Sequence, residues 1–223
     1  MRGLIKKAGA ARAAAPLVTL LLLFYSGSGS GAAGVMPDVQ SYTLDNGVRI
    51  LRIADELPKT EISVSISYGR LFEDLSNAGV SSVMANSLLL SGSAKYPGVS
   101  AIESIEALGG SISVDAGWES ITISATVLSR NADLAFDIIG DILINPLFQK
   151  KDVDYSKNFV YQKYIRSLDD PATRGIDTLK EILFRGEGYG AVISEKSIGS
   201  ITPDYLKRTW TEHTTGGDVI VSV

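Results

Sequence analysis

The chain has 223 residues, no cysteine, and 21 basic against 25 acidic side chains for a net charge of −4. With 45% hydrophobic and 21% charged residues it can bury a core, which excludes a disordered protein. The missing cysteines exclude disulfides, thiolate zinc sites and cysteine nucleophiles, and the absence of a Lys/Arg cluster beyond the N-terminal segment argues against nucleic acid as a partner.

Residues 1–34 read as a secretory signal peptide and spacer. Arg2, Lys6, Lys7 and Arg12 form a positive start, 13–25 is an apolar run, and the small residues of 26–34 offer a cleavage site. The apolar run is shorter than the roughly 20 residues that span a bilayer, so an uncleaved membrane anchor is the rival reading. No membrane contact beyond that segment is expected. An exported protein is predicted, periplasmic if the source is bacterial.

From residue 40 onward the signals alternate. Asn46-Gly47 sits between two apolar-alternating arms over 42–51, a hairpin cue. Residues 61–68 alternate Ile62, Val64, Ile66 and Tyr68 against Ser63, Ser65 and Ser67, the pattern of a half-buried strand. A helix is predicted over 78–90, and a second over 99–108, with Ser100 as its cap, Glu103 at the capping-box position and Gly109-Gly110 as its stop. Strands over 111–116 and 120–128 meet at Gly117-Trp118-Glu119. Apolar residues at helical spacing mark 132–143, which ends at Asn145-Pro146. Helical stretches over 151–168 and 173–184 follow, then a helix capped by Thr202 with Pro203 at its first position, and a strand over 218–223.

Strands interrupted by paired helices, without strict alternation, predict an α+β domain over 40–223 whose antiparallel-rich sheet is covered by helices on one face. The final apolar strand is expected to be an uncapped edge, because the sequence stops inside it; more polypeptide or another chain would then cover that edge.

The helix at 79–93 carries the most specific signal. A glycine precedes it and Gly92 closes it, but where an inverted zinc motif H-x-x-E-H would place two histidines and a glutamate on one face, it holds Ser82, Ala85 and Asn86. Together with Leu44-Asp45-Asn46-Gly47-Val48-Arg49-Ile50, Ile105-Glu106-Ala107-Leu108-Gly109-Gly110, Asp141-Ile142-Leu143-Ile144-Asn145-Pro146-Leu147-Phe148 and Ser200-Ile201-Thr202-Pro203-Asp204-Tyr205-Leu206, in that order, this frame resembles the pitrilysin/insulinase (M16) metallopeptidases. That family includes mitochondrial processing peptidases and their non-catalytic partner subunits. The resemblance implies a metallohydrolase-type half-domain, one of two that close like a clamshell around an unfolded peptide. It places the family's third zinc ligand at Lys163 and a supporting glutamate near Ser156, so every expected metal-site side chain is replaced.

Zinc takes neutral imidazole, thiolate or carboxylate. Ser82, Ala85 and Asn86 supply none of these, and an ammonium at roughly 4 Å repels a dication by several kcal/mol even at an effective dielectric near 20. No zinc or other cofactor is therefore expected, although the family as a whole uses zinc. Two arrangements of Lys163 stay open: its ammonium fills the vacated space and bonds Asn86 and Ser82, or it points to solvent.

Other candidates read as structural. His213, the only histidine, beside Glu212, has no second ligand at useful spacing. Asp169-Asp170-Pro171 reads as a helix start rather than a carboxylate pair. Trp118 and Trp210, with Tyr155, Tyr161 and Tyr164, either form an aromatic ligand surface or are packing residues, as the helical spacing of Tyr161, Tyr164 and Leu168 favours. Gly186-Glu187-Gly188-Tyr189-Gly190 lacks the Gly-Lys end of a phosphate loop and reads as a flexible connection.

The resulting expectation is a pseudopeptidase: a partner subunit, or the peptide-binding half of a peptidase chamber, without activity on its own. Its expected partners are a zinc-bearing M16 subunit or further copies of itself, with unfolded peptide as ligand. The alternatives are a zinc endopeptidase acting through non-standard ligands or only as a heterodimer, and a purely structural core-type subunit.

Overall fold

In the computed structural model, the described residues are 38–223. The signal-peptide reading of residues 1–34 lies outside the described residues.

Six strands make one sheet: β1 (Val39–Thr43), β2 (Arg49–Ile53), β3 (Lys59–Ile66), β4 (Ser111–Ala116), β5 (Ile121–Leu128) and β6 (Val219–Ser222), in the spatial order β1-β2-β6-β3-β5-β4. Every pairing is antiparallel except β2 with β6. The period of two in the sequence decides which face is dry. Val114, Ile123, Val64, Val221 and Ile50 are paired in one row across five strands. The adjacent row, Ser113, Ser124, Ser63 and Ser222, points to the opposite face.

Among the described residues seven helices accompany the sheet: α1 (Val80–Ser91), α2 (Ser100–Glu106), α3 (Ala132–Ile144), α4 (Lys150–Ser167), α5 (Pro171–Phe184), α6 (Glu195–Ser200) and α7 (Pro203–His213). Helices α1, α2 and α3 pack on β3, β4 and β5. The core joins Ile62, Val64 and Ile66 of β3 and Ile121 and Ile123 of β5 to Val83, Met84 and Leu88 of α1 and Ile138 and Ile142 of α3. The fold is therefore α+β with an antiparallel-rich sheet, as expected. Among the described residues no helix is long and apolar enough to cross a membrane.

Three local expectations change. The strand at the end of the sequence is not an edge: β6 lies between β2 and β3, and its backbone is hydrogen-bonded on both sides. Val219 and Val221 face the core there, and the edges are β1 and β4. Ser100 is the first residue inside α2, not its cap; its hydroxyl donates to the Pro97 carbonyl (2.8 Å) instead of accepting from the helix. Helix α6 was not foreseen, because six residues are too few for a periodic signal; its start is fixed by a reciprocal box between Ser194 and Ser197. The glycine-rich 186–190 segment contains a 3-10 turn, Gly188–Gly190, and Glu187 bridges to Asp74.

Candidate functional site

Helix α1 is framed by the two glycines singled out in the sequence. Gly79 caps it at φ +95°, and a Cβ there would come within 2.8 Å of Ile198 on α6. At the far end the Gly92 amide donates to the Leu88 carbonyl (3.0 Å). The first four amide donors of a helix are orphaned without a partner outside it. Glu73, 5% exposed, supplies one: its carboxylate accepts from the Gly79 amide (2.8 Å), the Ser81 amide (2.8 Å) and the Ser81 hydroxyl (2.5 Å). Burial pushes the Glu73 carboxyl up, and those three donors together with Arg70 pull it back only in part.

Helix α4 packs along α1. Val153, Ser156 and Val160 form its buried stripe, and one hydroxyl ties the two helices end to end: Ser91 Oγ accepts from the Gln149 amide (2.8 Å) and donates to Asp152 (3.0 Å). Seven residues beyond Ser156, on the same face, stands Lys163. Ser82, Ala85, Asn86 and Lys163 thus line one cavity of about 390 Å³. Ala85 is buried, Ser82 and Asn86 are half-buried, and Lys163 is exposed.

Of the two arrangements considered for Lys163, the bridging one is not adopted. The Asn86 amide donates to the Ser82 carbonyl (2.9 Å) on its own helix, and among the described residues the exposed Lys163 has no hydrogen bond or ion pair. Ser156 is fully buried, and its hydroxyl, like that of Ser87, has no partner. A hydroxyl, a methyl, an amide and an ammonium do not fit zinc. Among the described residues no three His, Cys, Asp or Glu side chains converge as metal ligands.

The rest of the wall was not foreseen as a unit. Edge strand β4 contributes Asp115 and Ala116, and the following turn contributes Trp118. Two cations lie over the Trp118 ring, Arg70 at 5.3 Å and Lys180 at 4.6 Å from its centre, and Tyr189 lies beside it at 5.2 Å. Tyr189 donates to Glu119 (3.0 Å), which raises its phenol. Tyr164 is also raised, first by burial and then by Asp177 and Glu181. The cavity is therefore aromatic-walled with mixed charge.

The remaining sequence candidates separate. Trp210 belongs to the core, donating from its indole to the Leu143 carbonyl (2.9 Å), whereas Tyr155 is exposed, so the tryptophans and tyrosines make no single surface. His213 packs on Tyr68 and Phe72, with ring centres 4.4 and 5.4 Å away. Asp170 caps α5, accepting from the Ala172 (3.2 Å) and Thr173 (3.1 Å) amides, so the Asp169-Asp170 pair is a helix start.

A largely antiparallel sheet, with two packed helices facing an open edge strand across a cavity, defines an α+β domain built around a groove. The chain belongs to the insulinase family, peptidase family M16, whose sequence profile matches residues 49–196. It is 28% identical over 193 residues to the mitochondrial-processing peptidase subunit beta of Dictyostelium discoideum, covering 84% of this chain and 40% of that protein. It is 25% identical over 188 residues to an uncharacterized zinc protease of Bacillus subtilis, covering 83% of this chain and 46% of that protein. To the human cytochrome b-c1 complex subunit 2 it is 24% identical over 181 residues, or 79% of this chain and 39% of that one. Among solved structures, the peptidase M16 inactive domain from Pseudomonas fluorescens shares the fold with a TM-score of 0.75 at 20% identity, over 83% of this chain and 46% of that one. The chain spans less than half the length of these relatives.

Proposed function

We propose that this chain is a non-catalytic M16 homologue, a pseudopeptidase that serves as partner subunit and holds unfolded peptide in the α1–α4 cavity. One observation carries the reading: Ser82, Ala85, Asn86 and Lys163 converge where the family's resemblance puts its metal, and none of them is a zinc donor. Without a bound dication there is nothing to lower the pKa of a water for attack on an amide. The fold around the site is retained, with a solvent-open edge at β4 and the aromatic wall at Trp118, Tyr164 and Tyr189. An extended peptide would add to β4 through backbone hydrogen bonds, with side chains reaching the aromatic wall and little sequence selectivity.

The similarity to cytochrome b-c1 complex subunit 2 favours a second reading, a purely structural subunit. The two differ in one measurement. Titrating an unfolded peptide should change the fluorescence of Trp118 in the peptide-holding subunit and leave it unchanged in the structural one. Peptide cleavage that a chelator abolishes would refute both. Export, inferred from residues 1–34, is part of the proposal; its check is cell fractionation, where retention of the whole chain in the cytosol would contradict it.

A further inference from the structure

Helix α5 is turned the opposite way from an ordinary amphipathic helix. Its half-buried Thr173, Asp177 and Lys180 line the cavity, while Ile176, Leu179 and Leu183 are exposed. Burial of apolar area alone would favour the reverse setting. Close backbone approach fixes the one observed: a Cβ on Gly190 would lie 2.8 Å from the Lys180 carbonyl oxygen, and Phe184 packs on Tyr189 at 5.5 Å. Lys180 is thereby held with its ammonium 4.6 Å from the centre of the Trp118 ring.

A second cation is built into the same wall. A Cβ on Gly69 would lie 2.7 Å from the Trp118 carbonyl oxygen, and at this close approach the Arg70 amide donates to the Gly117 carbonyl (3.3 Å) and the Leu71 amide to the Trp118 carbonyl (2.7 Å). The Arg70 guanidinium lies 5.3 Å from the Trp118 ring centre, so the two cations stand no further apart than the sum of their distances to that ring. Lys163 adds a third positive charge to the cavity lining. None of the three is neutralised by an ion pair: among the described residues the pairs are Lys59–Glu61, Lys95–Asp137 and Lys150–Asp154, all elsewhere. Glu73 feels the charge of Arg70, but its oxygens already accept from Gly79 and Ser81. Glu119 accepts from the Tyr189 hydroxyl (3.0 Å) and Asp115 from the Ser113 hydroxyl (3.3 Å), while Asp177 acts on Tyr164, whose phenol it helps to raise. Like charges held this close repel; an anion seated among them removes the repulsion and gains charge-assisted hydrogen bonds.

We propose that the cavity selects its peptide by charge: Arg70 and Lys180 hold a peptide carboxylate at Trp118, and Lys163 strengthens the field that attracts it. The proposal deepens the peptide-holding reading and rests on it. The donors suit the group, since a guanidinium offers a planar fork to two carboxylate oxygens and an ammonium three rotatable N–H bonds. A lysine or arginine of the peptide would instead meet three charges of its own sign. A polyanion such as nucleic acid fits poorly, because the whole chain carries −4 and Asp115 and Asp177 stand in the same lining.

The test is fluorescence anisotropy of labelled unfolded peptides, blocked at both ends and alike except for two central residues that are Glu, Gln or Lys. The full chain should bind the Glu peptide about tenfold tighter than the Gln peptide and the Lys peptide more weakly than either, with the differences shrinking at high salt. This comparison needs no variant to fold. Arg70→Gln and Lys180→Gln should each bring the Glu-to-Gln ratio close to one and Lys163→Gln should reduce it, whereas Lys180→Arg and Lys207→Gln, the latter exposed on α7, should keep it. A Gln peptide with a free C-terminal carboxylate separates the two sources of the group. Tight binding of that peptide in place of the Glu peptide assigns the site to chain ends, and Gln-like affinity assigns it to acidic side chains. Equal binding of all four peptides, tighter binding of the Lys peptide, or a preference unmoved in both Arg70→Gln and Lys180→Gln overturns the inference and leaves the peptide-holding reading standing. Binding of none of them overturns that reading, and the inference with it.

Discussion

Replacing Glu73 by alanine should be among the most damaging single changes outside the apolar core. The carboxylate is 5% exposed and receives three hydrogen bonds, from the Gly79 and Ser81 amides and the Ser81 hydroxyl. Truncation leaves three donors without a partner, each worth about 1 kcal/mol or more. Relief of the buried carboxylate's desolvation returns part of this, so a net loss of about 2–3 kcal/mol is expected. With a urea slope of about 2 kcal/mol/M, the unfolding midpoint falls by about 1 M. The pH dependence has a definite sign. Burial holds the Glu73 carboxyl above its unfolded value, so between those two values the folded state binds the proton that the unfolded state has released. Glu73 therefore makes stability decline as pH rises through that window. Urea curves for Glu73→Ala and wild type across mildly acidic to neutral pH check both points. A midpoint change below about 0.3 M, or a wild-type stability that rises through the window solely because of Glu73, would refute the reasoning.

Leu88→Ala, at a fully buried position between α1 and the sheet, should cost about 3 kcal/mol in the same urea assay without changing its slope. Thr202→Ala removes the hydroxyl that accepts from the Tyr205 amide (3.1 Å) and should lower stability by about 1 kcal/mol, with Thr202→Ser restoring most of it. Lys180→Met removes the cation 4.6 Å from the Trp118 ring; tryptophan emission should shift, while stability changes by less than about 0.5 kcal/mol.

Much of the architecture was legible in local pattern. The alternation of Ile62, Val64 and Ile66 with serines fixes the dry face of β3, and the Thr202-Pro203 start of α7 is a purely local device. Position in the sheet was not legible: an apolar strand reads alike whether it ends at an edge or slots between β2 and β3, because the second partner is distant in sequence. The α1–α4 half of the site came from the family resemblance, which pointed to Lys163 and Ser156, and not from any local pattern in the sequence. Glu73 escaped because its capping role spans a loop rather than the usual adjacent position, and only its burial reveals it. Helix α5 shows a different limit. Its apolar stripe is plain in the sequence, yet periodicity gives a direction relative to the helix and not to the domain.

The account stands on the proposal that this site binds no zinc. Zinc is measured by inductively coupled plasma mass spectrometry on protein incubated with excess zinc and then dialysed, for wild type, Asn86→Ala and Ser82→Ala. The predicted result is far less than one zinc per chain in all three; one zinc per wild-type chain, lost in either variant, would contradict it.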